Sequence, residues 1–330
     1  MATSQAYAVG RVRVLERSLV GRSGLDRLLT ARTPDEMCRM LSELGWGEAS
    51  SQREVEELAS KHVREASELM VSASPDKRVT DCFSYRYDVH NLKLLFKAQA
   101  LGRMADTDAL PLMNGGTVSA EGALKAVRDG HFEAFAPEIA REAAALAREM
   151  VVKVDPLAID ARLDKAMYRQ ISLNLKHVAP AEIREYFETQ VDLKNLLIRL
   201  RVRAMGRGGE FARRLMLEGG TVSVERLAAA GDTADMRALY SGKRYWPRLR
   251  RALEESEQSG NLTQIEKLED DYLKELIELH RYEPVSMLPL VGYLIARERE
   301  AAAVRMIMTA LVNRFPMDRL RERLRDMYGN

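Results

Sequence analysis

A chain of 330 residues, nearly half of them hydrophobic, is long enough for two or three small domains, each burying its own core. Its 51 basic side chains are balanced by 49 acidic ones, which excludes the strong basic excess expected of a nucleic-acid binder. Cys38 and Cys82 have neither disulfide nor metal-ligand spacing, so free thiols in a reducing, cytoplasmic setting are expected.

The opening MATSQAYAVGRVRVLE lacks a basic stretch followed by an apolar one, so no signal peptide is expected. Tyr7 to Leu19 reads as a first helix, with Val9, Val12, Leu15 and Leu19 on one face; Gly21, Ser23 and Gly24 break it. A short helix from Leu25 to Leu29 follows. Thr33-Pro34-Asp35-Glu36 then supplies a capping hydroxyl, a first-turn proline and two acids at the positive end of a helix dipole. That helix carries Met37, Met40 and Leu41 and stops at Gly45-Trp46-Gly47. Glu54 to Val71 is another, ended by Ser74-Pro75.

The next helix starts near Val79 and contains DVHNLKLLFKAQAL, Asp88 to Leu101. Tyr85, Val89, Leu92 and Phe96 line one stripe, and Lys93 and Lys97 are expected on a wet far side. This stretch returns as DLKNLLIRLRVRAM, Asp192 to Met205. At an offset of 104, Asp88 meets Asp192, Asn91 meets Asn195, Leu92 meets Leu196 and Ala100 meets Ala204. Gly115-Gly116-Thr117-Val118-Ser119 reappears as Gly219-Gly220-Thr221-Val222-Ser223 in the same register of 104, so a unit of that length is duplicated. Between the copies the pattern predicts short helices around Leu124 and Phe132 and longer ones over Pro137–Val152 and Pro156–Val178. Pro180-Ala181-Glu182 opens the second copy.

A third restart follows Gly219-Gly220, where Ser223 to Leu227 resembles Gly24 to Leu28 and Met236 falls where Met37 does, at a shift of 199. Helices over Leu262–Leu279 and Leu290 to about Asn313 come next, then a basic amphipathic tail from Pro316 to Met327. The most apolar run, Met287 to Ala296, is about half the length a bilayer span requires, so the chain is not expected to span a membrane. Period-two alternation is nowhere sustained, and the chain reads as all-α.

Asp88 and His90 point about 200° apart on a helix and cannot grip one metal; position 194 in the second copy is lysine. Glycines at 206, 208 and 209 follow a helix and lack the strand that a phosphate loop needs. The arginine cluster from 199 to 214 has only Phe211 as a stacking platform and reads as a solvated face, with an acidic partner as the second choice. No catalytic, metal-binding or cofactor-binding residue is therefore expected. Asp88/Asn91 and Asp192/Asn195 flank a core stripe, where polar groups need hydrogen bonds, and are expected to be structural joints between packed helices. Gly115, Gly116, Gly219 and Gly220 are expected to form unit-opening turns.

The start YAVGRVRVLE, the motif DVHNLKLLFKA and the ending EPVSMLPLVGYLIARERE together resemble one family of rotor subunits, called C in bacterial and archaeal V/A-type ATPases and d in the vacuolar enzyme. The resemblance implies three similar helical subdomains around a pseudo-threefold axis, making a funnel: units 1–112, 113–216 and 217–330. It places the third copy of the repeated helix at Glu300, Val304 and Arg305, matching Asp88, Leu92 and Lys93, with Ala303 where the other copies have asparagine. It further implies a non-catalytic rotor adaptor, peripheral on the cytoplasmic face, whose partners are the central-stalk subunits and the membrane proteolipid ring, with no cofactor. An all-helical scaffold for soluble partners is the alternative.

Overall fold

The computed structural model describes residues 4–74, 76–104, 107, 110–149, 155–176, 180–316 and 320. Among these the chain is all-helical, with no strand. The α-helices in order are α1 (Gln5–Leu15), α2 (Gly21–Leu28), α3 (Pro34–Glu43), α4 (Gln52–Ala73), α5 (Lys77–Ala100), α6 (Ala120–Asp129), α7 (Pro137–Glu149) and α8 (Pro156–Leu175). They continue as α9 (Ala181–Ala204), α10 (Gly209–Leu215), α11 (Val224–Ala229), α12 (Thr233–Tyr240), α13 (Trp246–Ser259), α14 (Thr263–Glu278) and α15 (Leu288–Val312). None is long and apolar enough to cross a membrane. The basic tail helix expected over Pro316–Met327 falls almost wholly outside the described residues, as do the ends expected at Val152 and Val178.

Local chemistry sets most helix starts. The hydroxyl of Thr33 accepts the Glu36 N–H at 3.2 Å, and at the corresponding place in the sequence the Asp232 carboxylate accepts the Asp235 N–H at 2.9 Å. Ser119 and Ser223 cap α6 and α11 in the same way. Two expectations need correction. Gly21, at φ 62°, opens α2 after the 3₁₀ segment Glu16–Ser18 and the non-helical Leu19 and Val20, and Ser23 and Gly24 lie inside α2; the first helix has already ended at Leu15. Phe132 lies in a turn, buried against Phe96 with ring centroids 5.9 Å apart, because Gly130 in the left-handed conformation has already ended α6.

The chain divides into two compact units, Met1–Pro75 with Lys274–Asn330, and Asp76–Leu273. In the first, α15 packs along α4 and also touches α1, α2 and α3; Val12, Leu28, Met37, Trp46, Met70, Val304 and Ile307 are buried there. In the second, α5 packs against α8 and α6, and α7 packs on α8. A core of Leu193, Leu196, Leu227, Met236, Tyr240, Tyr245 and Leu249 ties α9 to α11, α12 and α13.

The long helices α5, α9 and α15 end alike. Gly102, Gly206 and Arg314 take left-handed φ of 67°, 68° and 55°. The following N–H groups, of Arg103, Arg207 and Phe315, reach back to the carbonyls of Ala98, Val202 and Ala310 at 2.8, 3.0 and 2.8 Å. The stripe Tyr85, Val89, Leu92 and Phe96 is buried as the spacing predicts. Lys93 and Lys97 are only partly exposed, however. They reach Asp164 and Asp160 of α8, each at 2.6 Å, since α5 is packed on more than one side and buries Cys82, Phe83 and Leu95 as well.

Candidate functional site

The polar residues singled out on the repeated helix all bind loop backbone. Asp88 is fully buried on α5; its Oδ2 accepts the Thr117 N–H at 3.1 Å and the Thr117 hydroxyl at 2.6 Å, and its Oδ1 accepts the Val118 N–H at 3.0 Å. One turn on, Asn91 accepts the Met113 N–H at 2.8 Å and donates to the Met113 carbonyl at 2.8 Å. The second copy repeats this on α9. Asp192 Oδ1 accepts the N–H groups of Thr221 and Val222 at 2.8 and 2.9 Å, and its Oδ2 accepts the Thr221 hydroxyl at 2.5 Å. Asn195 exchanges two bonds with Leu217, at 2.7 and 2.9 Å.

The glycine pairs make this approach possible. Gly115 and Gly219 have φ of 128° and 97°, a region that disfavours side chains. A Cβ on Gly116 would overlap Asp88 Oδ1, and one on Gly220 would overlap Asp192 Oδ1. The first glycine therefore bends the loop and the second lets it lie against the carboxylate.

Glu300, buried on α15, meets a loop too, but one 280 positions earlier in the chain. Its Oε1 accepts the N–H groups of Val20 and Gly21, the latter at 3.3 Å. Ala303 cannot supply an amide, and Arg297 does the second task. It donates to the Ser18 carbonyl at 3.3 Å, to the Ser18 hydroxyl at 2.6 Å and to Glu300 Oε2 at 3.0 Å.

Burial pushes the Asp88 carboxyl above its ordinary value while the Thr117 hydroxyl and the two N–H groups pull it back. Burial likewise raises Glu300, against the pull of Arg297 and the Val20 and Gly21 N–H groups. These carboxylates are spent on positioning backbone, and their geometry does not present a free acid or base to a substrate.

The model of the family described as ATP synthase (C/AC39) subunit matches residues 8–323. The chain belongs to that family. Relatives of the C/AC39 chain include the C subunit of the A-type ATP synthase of Thermococcus onnurineus, 21% identical with 98% of this chain and 91% of the relative covered. The C subunit of the Haloquadratum walsbyi A-type ATP synthase is 24% identical, covering 91% of this chain and 92% of the relative. The C subunit of the V-type sodium ATPase of Enterococcus hirae is 22% identical over 78% of this chain and 77% of its own length.

Within this C/AC39 chain a further set of contacts recurs that the sequence reading missed. Lys194 and Arg201 of α9 pair with Glu269 and Glu266 of α14 at 2.9 and 2.5 Å, as Lys93 and Lys97 of α5 pair with α8. Arg305 of α15 pairs with Glu56 of α4 at 2.6 Å. Each long helix thus forms ion pairs with the helix that immediately precedes another long one. The signal was present in the charge pattern, since 93 and 305 align with one another once 88 is set on 300.

His90 sits away from Asp88's bonds, with Nε2 3.2 Å from the Pro111 carbonyl. Of the arginine cluster, Arg199 is not solvated: it is buried where α5 and α15 carry Leu95 and Ile307. Its Nη2 donates to the Ala230 carbonyl at 2.6 Å, whereas Nε and Nη1 have no partner among the described residues.

Proposed function

We propose that this C/AC39 chain is a non-catalytic rotor subunit of a V/A-type rotary ATPase, coupling the central stalk to the membrane proteolipid ring. The observation that carries the reading is the backbone clamp met on all three long helices, by Asp88, Asp192 and Glu300. A body that transmits torque must not let its helices slide in register. Buried carboxylates holding loop N–H groups resist sliding, because a one-turn slip would strand several buried polar groups at once.

On this reading the stretches 1–112, 113–216 and 217–330 are three copies of one helical unit, and Asp88, Asn91, Asp192, Asn195 and Glu300 are its structural joints. Gly115, Gly116, Gly219 and Gly220 are the turns that open the second and third units. The chain lies on the cytoplasmic face as a peripheral subunit and holds no cofactor. The relatives' names, ATP synthase and sodium ATPase, support membership of such an assembly.

The test is affinity isolation of the tagged full-length chain from native membranes. Stalk and proteolipid subunits are expected to copurify in fixed proportion. A folded chain that brings only soluble proteins would instead identify a helical scaffold, and the rotor reading would fall.

A further inference from the structure

We propose that the first unit carries a docking surface, made by α1 and the segment joining α14 to α15, for an acidic, apolar-faced helix of another subunit. The occupant rests on the rotary-assembly reading; the surface itself is read from its own residues. Five large apolar side chains stand out there: Tyr7 is 62% exposed, Val14 66%, Leu279 72%, Tyr282 79% and Val285 67%. Tyr7 and Val14 are seven residues apart, so they share one stripe of α1, with Arg11 on the same stripe between them.

Tyr282 is exposed but held. The guanidinium carbons of Arg13 and Arg281 lie 5.2 and 5.6 Å from its ring centroid. Both arginines are anchored in turn on Glu16, at 2.8 and 3.3 Å, and this carboxylate is almost wholly covered. A ring fixed before binding loses little freedom on contact, and tyrosine and arginine are the residue types that dominate interface energetics.

Charge sets the partner's sign. The surface carries Arg11, Arg13, Arg17 and Arg281 against Glu16 and Glu283. Glu16 is consumed beneath the two clamping arginines, and Glu283 is held by His280 at 2.7 Å. Arg11 and Arg17 are exposed and have no acidic partner among the described residues. A partner helix must therefore bring carboxylates beside its apolar face. A bilayer fits less well, because insertion calls for one continuous apolar helix face. Here the apolar groups are divided between a helix and a loop.

The test places a photo-crosslinking phenylalanine analogue at position 14 or 282 of the tagged full-length chain and isolates the complex from native membranes after irradiation. Both positions are expected to crosslink to one and the same subunit, within an acidic helical segment. Tyr282→Ala, and separately Arg11→Glu with Arg17→Glu, are expected to lower the yield from position 14 by about tenfold or more, while Tyr282→Phe retains most of it. Unchanged thermal melting of each variant, together with the Tyr282→Phe comparison, keeps a folding defect from imitating the effect.

Crosslinks to lipid alone, to this chain alone, or to a protein segment without acids would overturn the inference. So would a yield indifferent to charge reversal. If stalk and proteolipid proteins are recovered while positions 14 and 282 stay silent, only the docking surface falls. If neither is recovered at all, the rotor reading falls with it.

Discussion

Asn in place of Asp88 and Asn in place of Asp192 are expected to differ in effect, although the two carboxylates occupy matching positions. At 192 both loop N–H groups converge on Oδ1, at 2.8 and 2.9 Å, and Oδ2 takes two hydroxyls, of Thr221 at 2.5 Å and of Tyr245 at 3.4 Å. An asparagine oxygen placed at Oδ1 keeps both backbone bonds, and the Thr221 and Tyr245 hydroxyls can each rotate to accept from the new amide. At 88 the N–H groups are split, Thr117 on Oδ2 at 3.1 Å and Val118 on Oδ1 at 3.0 Å. Whichever way an asparagine is turned, one backbone N–H faces an NH₂ group. The better orientation keeps Thr117 and strands the buried Val118 N–H, an unsatisfied donor that costs about 1–3 kcal/mol.

Asp192→Asn should therefore destabilise by less than about 1 kcal/mol, and Asp88→Asn by about 1–2 kcal/mol more. Urea unfolding followed by circular dichroism gives the global comparison. Amide hydrogen exchange at Val118 and Val222 gives the local one and does not depend on two-state behaviour. The Val118 amide should lose protection in Asp88→Asn, while Val222 keeps its own in Asp192→Asn. Equal destabilisation, the reverse order, or an unchanged Val118 rate would refute the assignment of donors to oxygens.

Three further outcomes are expected. Arg314 occupies a left-handed position, φ 55°, where the other long helices use Gly102 and Gly206. Arg314→Gly should stabilise by roughly 0.5 kcal/mol, the relief of left-handed strain less the added backbone entropy, and Gly206→Ala should destabilise by about 1 kcal/mol; thermal melts read both. Arg199→Leu places there the residue type found at Leu95 and removes two buried nitrogens unpaired among the described residues, but also the donor to the Ala230 carbonyl, so its urea midpoint should stay close to that of the parent, whereas Arg199→Ala leaves a cavity as well and lowers it.

The fourth concerns pH. Burial raises Glu300 above its ordinary value of 4.5, so the folded chain binds that proton more tightly than the unfolded one. Its contribution to stability is full below the ordinary value and is lost as pH rises through the raised one. The stability difference between the parent and Glu300→Gln should thus shrink with rising pH across that window. A difference that grows or stays constant in urea melts would contradict the burial argument.

Much of the fold was written locally. Thr33, Ser119 and Ser223 mark helix starts because a side-chain oxygen three residues before an unpaired N–H needs no distant partner. The stripe from Tyr85 to Phe96 reveals its buried face through spacing alone. Asp88 and Asp192 were legible as polar residues at a core line, and their shared register with the glycine pairs hinted at the contact. In both stretches carboxylate and loop are separated by 29 or 30 residues, so the shared sequence register goes with a shared geometry.

Other features needed the tertiary structure. Glu300 finds Val20 and Gly21 across nearly the whole chain, and no shared motif links those positions. Arg297 replaces the missing asparagine with different chemistry, which an alignment of identities cannot register. Lys93 and Lys97 were read as solvated because a helical wheel shows where a side chain points and not what stands opposite it. Sequence by itself determined most of the longer helices, caps such as those at Thr33 and Ser119, and the bends at the glycine pairs, since each depends on neighbours within a few turns. Only the folded chain decided that the buried Glu300 is satisfied by the Val20–Gly21 backbone and that Arg297 stands in for an asparagine, because those pairings are set by packing in space and leave no periodic trace along the chain.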